Sequence, residues 1–267
     1  MPFRNSYQFN SDNTQTLTQL IQGTADNHSK LLPIRLDLYL SSQDDSAITY
    51  IDIKNCWQNL QRNMRHNSIF DNLLAWAANI EYGEHRGWHI HVLMLFNGQR
   101  LKDDYTKAQD LGAYWMKLVK QRDNRYTGDY YSANTHANKY DTLALKIIDS
   151  SRSTYKNDLA TLIDASTYLT KVSCLSEAKM KDEEAFQQRS EHHQSNRRFF
   201  TSHVKSKSKR GRPRNLDSLA KDSTVLSAPT PRRRPSLNHS QTVSNVTTQS
   251  RDNFDMQWAY TASLLND

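Results

Sequence analysis

Cysteine is close to absent. The 267-residue chain has two, Cys56 and Cys174, far apart. That excludes a disulfide-stapled scaffold and a cysteine-rich metal site, and it is the usage expected of a reducing compartment. Long apolar runs are missing too. Nothing approaches the roughly 18 residues of a membrane span, and no signal peptide can be read, so the expectation is a cytosolic (cytoplasmic) protein with no membrane partner. Apolar residues are sparse, 36% of the chain with a mean hydropathy of −0.84, which argues for a core of ordinary size plus a polar tail. Acidic residues are outnumbered by basic ones, giving a net charge of +7. An excess this modest matters through its distribution, not its total. No internal repeat is visible.

What is present organises itself around Glu81 to Asn97, EYGEHRGWHIHVLMLFN. This reads as two strands, about 73–82 and 88–96, folded on a turn between Gly83 and Gly87. Alternate strand residues share a face. His89, His91, Leu93 and Leu95 lie on one; Ile90, Val92, Met94 and Phe96 lie on the other, which is wholly apolar and predicted to face the core. In the preceding strand Trp76, Ile80 and Tyr82 share one face, Asn79 and Glu81 the other. A hairpin centred on His85 sets Glu81 opposite His89, with Cβ atoms roughly 5 Å apart. One carboxylate and two imidazoles then converge, a set suited to Mg, Mn or Zn with positions left for a substrate oxygen. An H-x-H pair alone also fits two solvent-facing histidines; the glutamate of matching parity and the apolar opposite face favour a site. Glu84 and His85, in the turn, are the second-choice ligands.

The remaining pattern is mixed. Leu17, Leu20 and Ile21 predict a short helix over 14–22, after a loose polar start. Pro33 introduces IRLDLYL, a half-buried strand whose Ile34, Leu36, Leu38 and Leu40 alternate with Arg35, Asp37 and Tyr39. Ile53, Trp57, Leu60 and Met64 mark a helix stripe. A second amphipathic helix spans 103–121, with Asp103 and Asp104 at its start and Lys117 and Lys120 near its end. YTGDYYSAN reads as a loop, Thr142–Ile148 as a strand, and 156–171 as a third helix. Residues 175–198 read as an exposed helix or a linker. The order argues for an α+β fold, an antiparallel sheet with helices packed mainly on one face. The expected divisions are an N-terminal segment 1–30, a folded domain 31–204 and a basic, largely disordered tail 205–267.

Two further groups carry possible chemistry. Tyr168 and Lys171, in YLTK, lie three apart on one helical face. A phenol next to an ammonium and a metal-polarised phosphate could act as a nucleophile, although with 13 tyrosines in the chain a tyrosine alone means little. In the tail, Lys209, Arg210, Gly211, Arg212, Pro213 and Arg214 form an AT-hook-like core able to lie extended in a narrow A·T minor groove. A solvated basic linker making nonspecific phosphate contacts is the alternative. Arg232 to Arg234 add charge. Residues 254–267 read as either a short amphipathic helix or a docking peptide.

EYGEHRGWHIHVLMLFNG, with Glu81 upstream and Tyr168 and Lys171 downstream, resembles the metal motif of HUH single-strand endonucleases. IRLDLYL, GWHIHVLMLFNG, LGAYWMKL, YLTK, RRFF and GRPR look like the inovirus replication-protein family, with its YagK/YfjJ-type prophage relatives. The resemblance covers residues 15–214, about three quarters of the chain. It implies an HUH Rep or RRM-like sheet, a divalent Mg or Mn ion on Glu81, His89 and His91, and attack by Tyr168 on a scissile phosphate oriented by Lys171. The product is a 5′-phosphotyrosine link and a free 3′-hydroxyl, as in rolling-circle replication. Single-stranded origin DNA, A·T-rich duplex through the tail, and host replication machinery are the implied partners. Many HUH enzymes space the pair as Y-x-x-x-K, where this chain has Y-x-x-K. No second tyrosine shares the helix turn, Tyr155 being too far upstream, so a single-tyrosine mechanism is implied. The competing expectation is a non-catalytic DNA-binding or regulatory prophage protein on a decayed HUH fold.

Overall fold

The computed structural model describes residues 8–42, 47–134, 147–187 and 197–203. All fall within one unit, Met1–Gly211. Lys209–Arg214, Arg232–Arg234 and residues 254–267 lie outside the described residues, as does nearly all of the strand expected at 142–148.

The elements are α1 (Ser11–Asn27), β1 (Lys30–Ser42), α2 (Tyr50–Asn63), β2 (Leu73–Gly83), β3 (Gly87–Asn97), α3 (Asp104–Arg122), β4 (Tyr126–Ser132), β5 (Ile148–Asp149), α4 (Tyr155–Ser166), α5 (Cys174–Gln187) and β6 (Phe199–Thr201). The strands form one antiparallel sheet in the order β4-β1-β3-β2-β6, with the short β5 also paired to β1. The fold is α+β, as the element pattern requires. No described helix is long and apolar enough to cross a membrane.

Strand parity builds two cores. Leu32, Ile34, Leu36, Leu38, Ile80, Ile90, Val92, Met94 and Phe96 face α2 and α3, whose Ile53, Trp57, Leu60, Leu111 and Trp115 bury against them; Met180 of α5 joins this larger cluster. The opposite face has its own smaller cluster. There Leu31, Ala75, Ala77, Leu93 and Leu95 meet Leu17, Leu20 and Ile21 of α1 and Leu162 of α4. Among the described helices, α2, α3 and α5 therefore load one face and α1 and α4 the histidine face.

Several elements differ from the sequence reading, each for a local reason. β1 begins at Lys30, and Pro33 lies inside it. The missing N–H is tolerated because the ladder is interrupted there: β5 pairs with Lys30 and Leu31, and β4 only from Leu36 on. Asn134 fills the gap, donating from Nδ2 to the Pro33 carbonyl (3.0 Å) while its Oδ1 accepts from the Arg35 N–H (2.9 Å). YTGDYYS is β4, not a loop. Gly128 suggests a turn, but it is there for close approach: a Cβ would sit 3.0 Å from the Met116 Cα. α1 runs Ser11–Asn27, longer than the predicted 14–22, because Asn10 caps it by accepting from the Asn13 N–H.

α5 is neither a linker nor a merely exposed helix. Its Glu183 carboxylate accepts from the Tyr50 N–H at the start of α2 (2.8 Å) and from the indole Nε1 of Trp88 (2.8 Å). Trp88 is 1% exposed, so truncation strands a buried donor. Glu183→Ala is expected to cost about 2 kcal/mol, measured as a lower urea midpoint with an unchanged m-value.

Candidate metal centre

The β2–β3 turn determines the centre. Gly83 pairs with Gly87 around Glu84-His85-Arg86, the Arg86 N–H donates to the Gly83 carbonyl (3.2 Å), and Gly87 has φ +62°. This is a three-residue hairpin loop closed by a left-handed residue, where glycine is strongly favoured. It puts Glu81 opposite His89, as the sequence predicts. Glu81, His89 and His91 present one donor atom each, all within 4.8 Å of one another, and all three are buried. Glu84 and His85 are not part of the cluster.

Neighbouring groups fix which nitrogens are available. His91 Nδ1 lies 2.5 Å from Asp37 Oδ1, and His89 Nδ1 lies 3.0 Å from the Gly87 carbonyl. Both partners are acceptors, so each Nδ1 carries the hydrogen, and in the neutral rings each Nε2 is a lone pair. Those two Nε2 atoms face each other at 3.2 Å. Glu81 Oε2 lies 3.3 Å from His91 Nε2 and accepts no hydrogen bond, although it is buried. With both rings neutral, the opposed lone pairs and the unpartnered carboxylate oxygen would be relieved by either a bound cation or a proton on His91 Nε2. Donors about 2.1 Å from one ion stand roughly 3.0–3.4 Å apart, which two of the three donor separations match, so the triad could hold a metal ion.

In the metal-free protein a proton takes part of that role. Burial alone would lower His91, but the Asp37 carboxylate outweighs it and holds the imidazole above its ordinary value. Burial, and then the charge of His91, push His89 down to about 4. Burial would raise Glu81; His91 and Lys171 outweigh that and bring it down to about 2. Asp37, raised by burial and lowered more by His91, ends well below the carboxylate range.

The second half of the site arrives from α4. The expected helix over 156–171 stops at Ser166 and tightens into a 3₁₀ turn, Thr167–Thr170. At three residues per turn Tyr168 and Lys171 eclipse one another. The Tyr168 ring stands edge-on to His91, centroids 5.3 Å apart. Lys171 Nζ donates to Glu81 Oε1 (3.1 Å) and lies 5.3 Å from the Tyr168 ring centroid. The N-terminus, expected to be loose, pins this turn: Asn10 N–H donates to the Thr170 carbonyl, Val172 N–H to the Gln8 carbonyl, and Thr14 and Thr170 join hydroxyls.

Sequence reasoning misses the contribution of β1. Its polar face carries Arg35, Asp37 and Tyr39, and β1 pairs with β3 so that Asp37 meets His91 and Tyr39 meets His89. Tyr39 stacks on His89 (5.7 Å, 28°), and its hydroxyl accepts from Arg86 (2.9 Å). The alternation of IRLDLYL is a usable signal, but only with the strand order known. Losing the carboxylate that fixes a ligand imidazole typically costs 10–100-fold in metal affinity. Asp37→Ala is expected to weaken Mn²⁺ binding by about that factor in isothermal titration, with Asp37→Asn less affected.

No family model matches the chain, and no curated protein or solved structure shows significant similarity to it.

Proposed function

We propose that this chain is an HUH-type DNA endonuclease and strand transferase, a metal-dependent enzyme that nicks and rejoins single-stranded DNA to initiate rolling-circle replication of a phage or prophage. The observation that carries the reading is the Tyr168 ring resting on His91, beside a buried donor triad that could hold a cation. Glu81, His89 and His91 would hold Mg or Mn, which when bound supplies Lewis-acid stabilisation of charge developing on a phosphate oxygen. Tyr168 provides the nucleophile. Its phenol oxygen bonds to phosphorus as the P–O3′ bond breaks, and the proton lost by the phenol is balanced by the one the departing 3′ oxygen gains. The protein keeps the 5′ phosphate as a diester on Tyr168, so the strand can later be rejoined without an external energy source. The basic tail, Lys209–Arg214 included, would add affinity for DNA.

The test is incubation of the full chain with single-stranded DNA containing the element's origin, with and without Mn²⁺, followed by denaturing electrophoresis. A metal-dependent, detergent-resistant protein–DNA adduct with a free 3′-hydroxyl is expected. Binding that leaves the DNA intact would instead assign the fold to non-catalytic recognition.

A further inference from the structure

The geometry points to Arg35, not Lys171, as the residue that grips the substrate phosphate, with Lys171 serving Glu81 instead. The inference rests on the proposed nicking activity and names a recognition element of the same site.

The two cations near Tyr168 are not equivalent. The Arg35 guanidinium carbon and Lys171 Nζ each lie 5.3 Å from the ring centroid. Lys171 is already committed, its ammonium bonded to a carboxylate oxygen of a metal-ligand residue at 3.1 Å. Drawing it onto a phosphate would uncover Glu81, which is buried. Arg35 carries no such commitment: none of the ion pairs among the described residues involves it. It projects from the histidine face of β1, opposite Leu93 and two residues before Asp37, and its charge is felt at both Asp37 and His91.

Its base is rigid. The Arg35 N–H donates to Asn134 Oδ1 (2.9 Å) and its carbonyl accepts from the Ala133 N–H (3.1 Å), so the segment after β4 holds one side of the backbone while β3, paired here at Leu93, lines the other. A half-buried guanidinium on a fixed strand is preorganised for phosphate, since its planar fork offers two parallel donors to two non-bridging oxygens. An ammonium lacks that geometry. The alternative is that Arg35 only stacks on Tyr168 and touches no substrate.

The probe is thymidylyl-3′,5′-thymidine, a single phosphodiester too small to report the tail's own DNA affinity. Broadening of its ³¹P line by protein-bound Mn²⁺ is seen only when the phosphate approaches the metal centre. Arg35→Met keeps an unbranched side chain while removing the guanidinium and is expected to weaken this dinucleotide's binding about tenfold without weakening Mn²⁺ binding. Arg35→Lys, which keeps charge and loses the fork, is expected to fall between the two. Lys171→Met should leave dinucleotide binding within about twofold while changing Mn²⁺ affinity, because it unmasks Glu81. Should Arg35→Met fail to fold, Arg35→Lys decides alone. Unchanged broadening titrations in the Arg35 variants, beside a wild type that broadens the line, overturn the assignment and leave the nicking reading intact. A Mn²⁺-loaded wild type that never broadens the line sinks both.

Discussion

Tyr168→Phe is expected to abolish the covalent adduct, a loss of at least about 10³-fold, while leaving the fold and metal affinity nearly unchanged. The substitution removes a single oxygen. The ring that stands against His91, and that Arg35 and Lys171 approach, remains. Stability should therefore shift by less than about 1 kcal/mol, and the Mn²⁺ titration should overlay the wild type. Among the described residues the two tyrosines that could compete are engaged elsewhere: Tyr155 packs against the second apolar cluster, and Tyr39 is stacked on His89 with its hydroxyl bound to Arg86. A nucleophile acting as one unit with its activating groups gives this all-or-none signature, in which partial losses are uninformative and complete loss is diagnostic. Tyr155→Phe serves as the matched control and should form the adduct normally. An adduct persisting in Tyr168→Phe would assign attack to another residue and reduce the Tyr168–His91 contact to packing.

The hairpin is legible from local periodicity alone, because parity and turn length depend only on neighbours in sequence. Gly83 and Gly87 fix the loop, the loop fixes the register, and the register brings Glu81 to His89. What periodicity cannot supply is which strand lies next to which. β1 is recognisable as half-buried, yet nothing in IRLDLYL says that it docks beside β3 rather than at an edge, so Asp37 reads as a solvent-facing residue. The same gap hides the second core. Leu93 and Leu95 share a face with the histidines, and only the arrival of α1 and α4 shows why apolar residues belong there. At β4, glycine misleads because its turn signature and its close-packing signature are identical in sequence. The N-terminus misleads because residues 8–14 make almost purely backbone and hydroxyl contacts, which leave no apolar pattern.

The two histidines, alike as candidate metal donors, should part company when no metal is bound. His91→Ala leaves Asp37 buried, 6% exposed, without its principal partner, and breaking a buried charged pair from one side costs about 3–5 kcal/mol. His89→Ala leaves no carboxylate stranded, since His89 bonds a backbone carbonyl. It also removes an acid liability. The His89 pKa falls from an ordinary 6.5 to about 4, so its contribution is intact above pH 6.5. It is lost as pH falls toward 4, because the unfolded chain takes up a proton that the folded chain refuses, worth about 3 kcal/mol. Glu81, lowered from 4.5 to about 2, adds a second loss between those values. His91 has the opposite sign: its raised pKa contributes fully below pH 6.5, and that contribution fades as pH rises past the raised value. The chelated wild type should therefore melt highest near pH 6.5 and lower on either side. His89→Ala should flatten the limb between pH 6.5 and 4, and His91→Ala should lower the whole curve. Adding Mn²⁺ at 100 times its Kd should stabilise only the wild type, by about 3 kcal/mol. If both alanine variants respond to Mn²⁺ as the wild type does, the ion is not on these nitrogens, and their opposed lone pairs are satisfied by a proton alone.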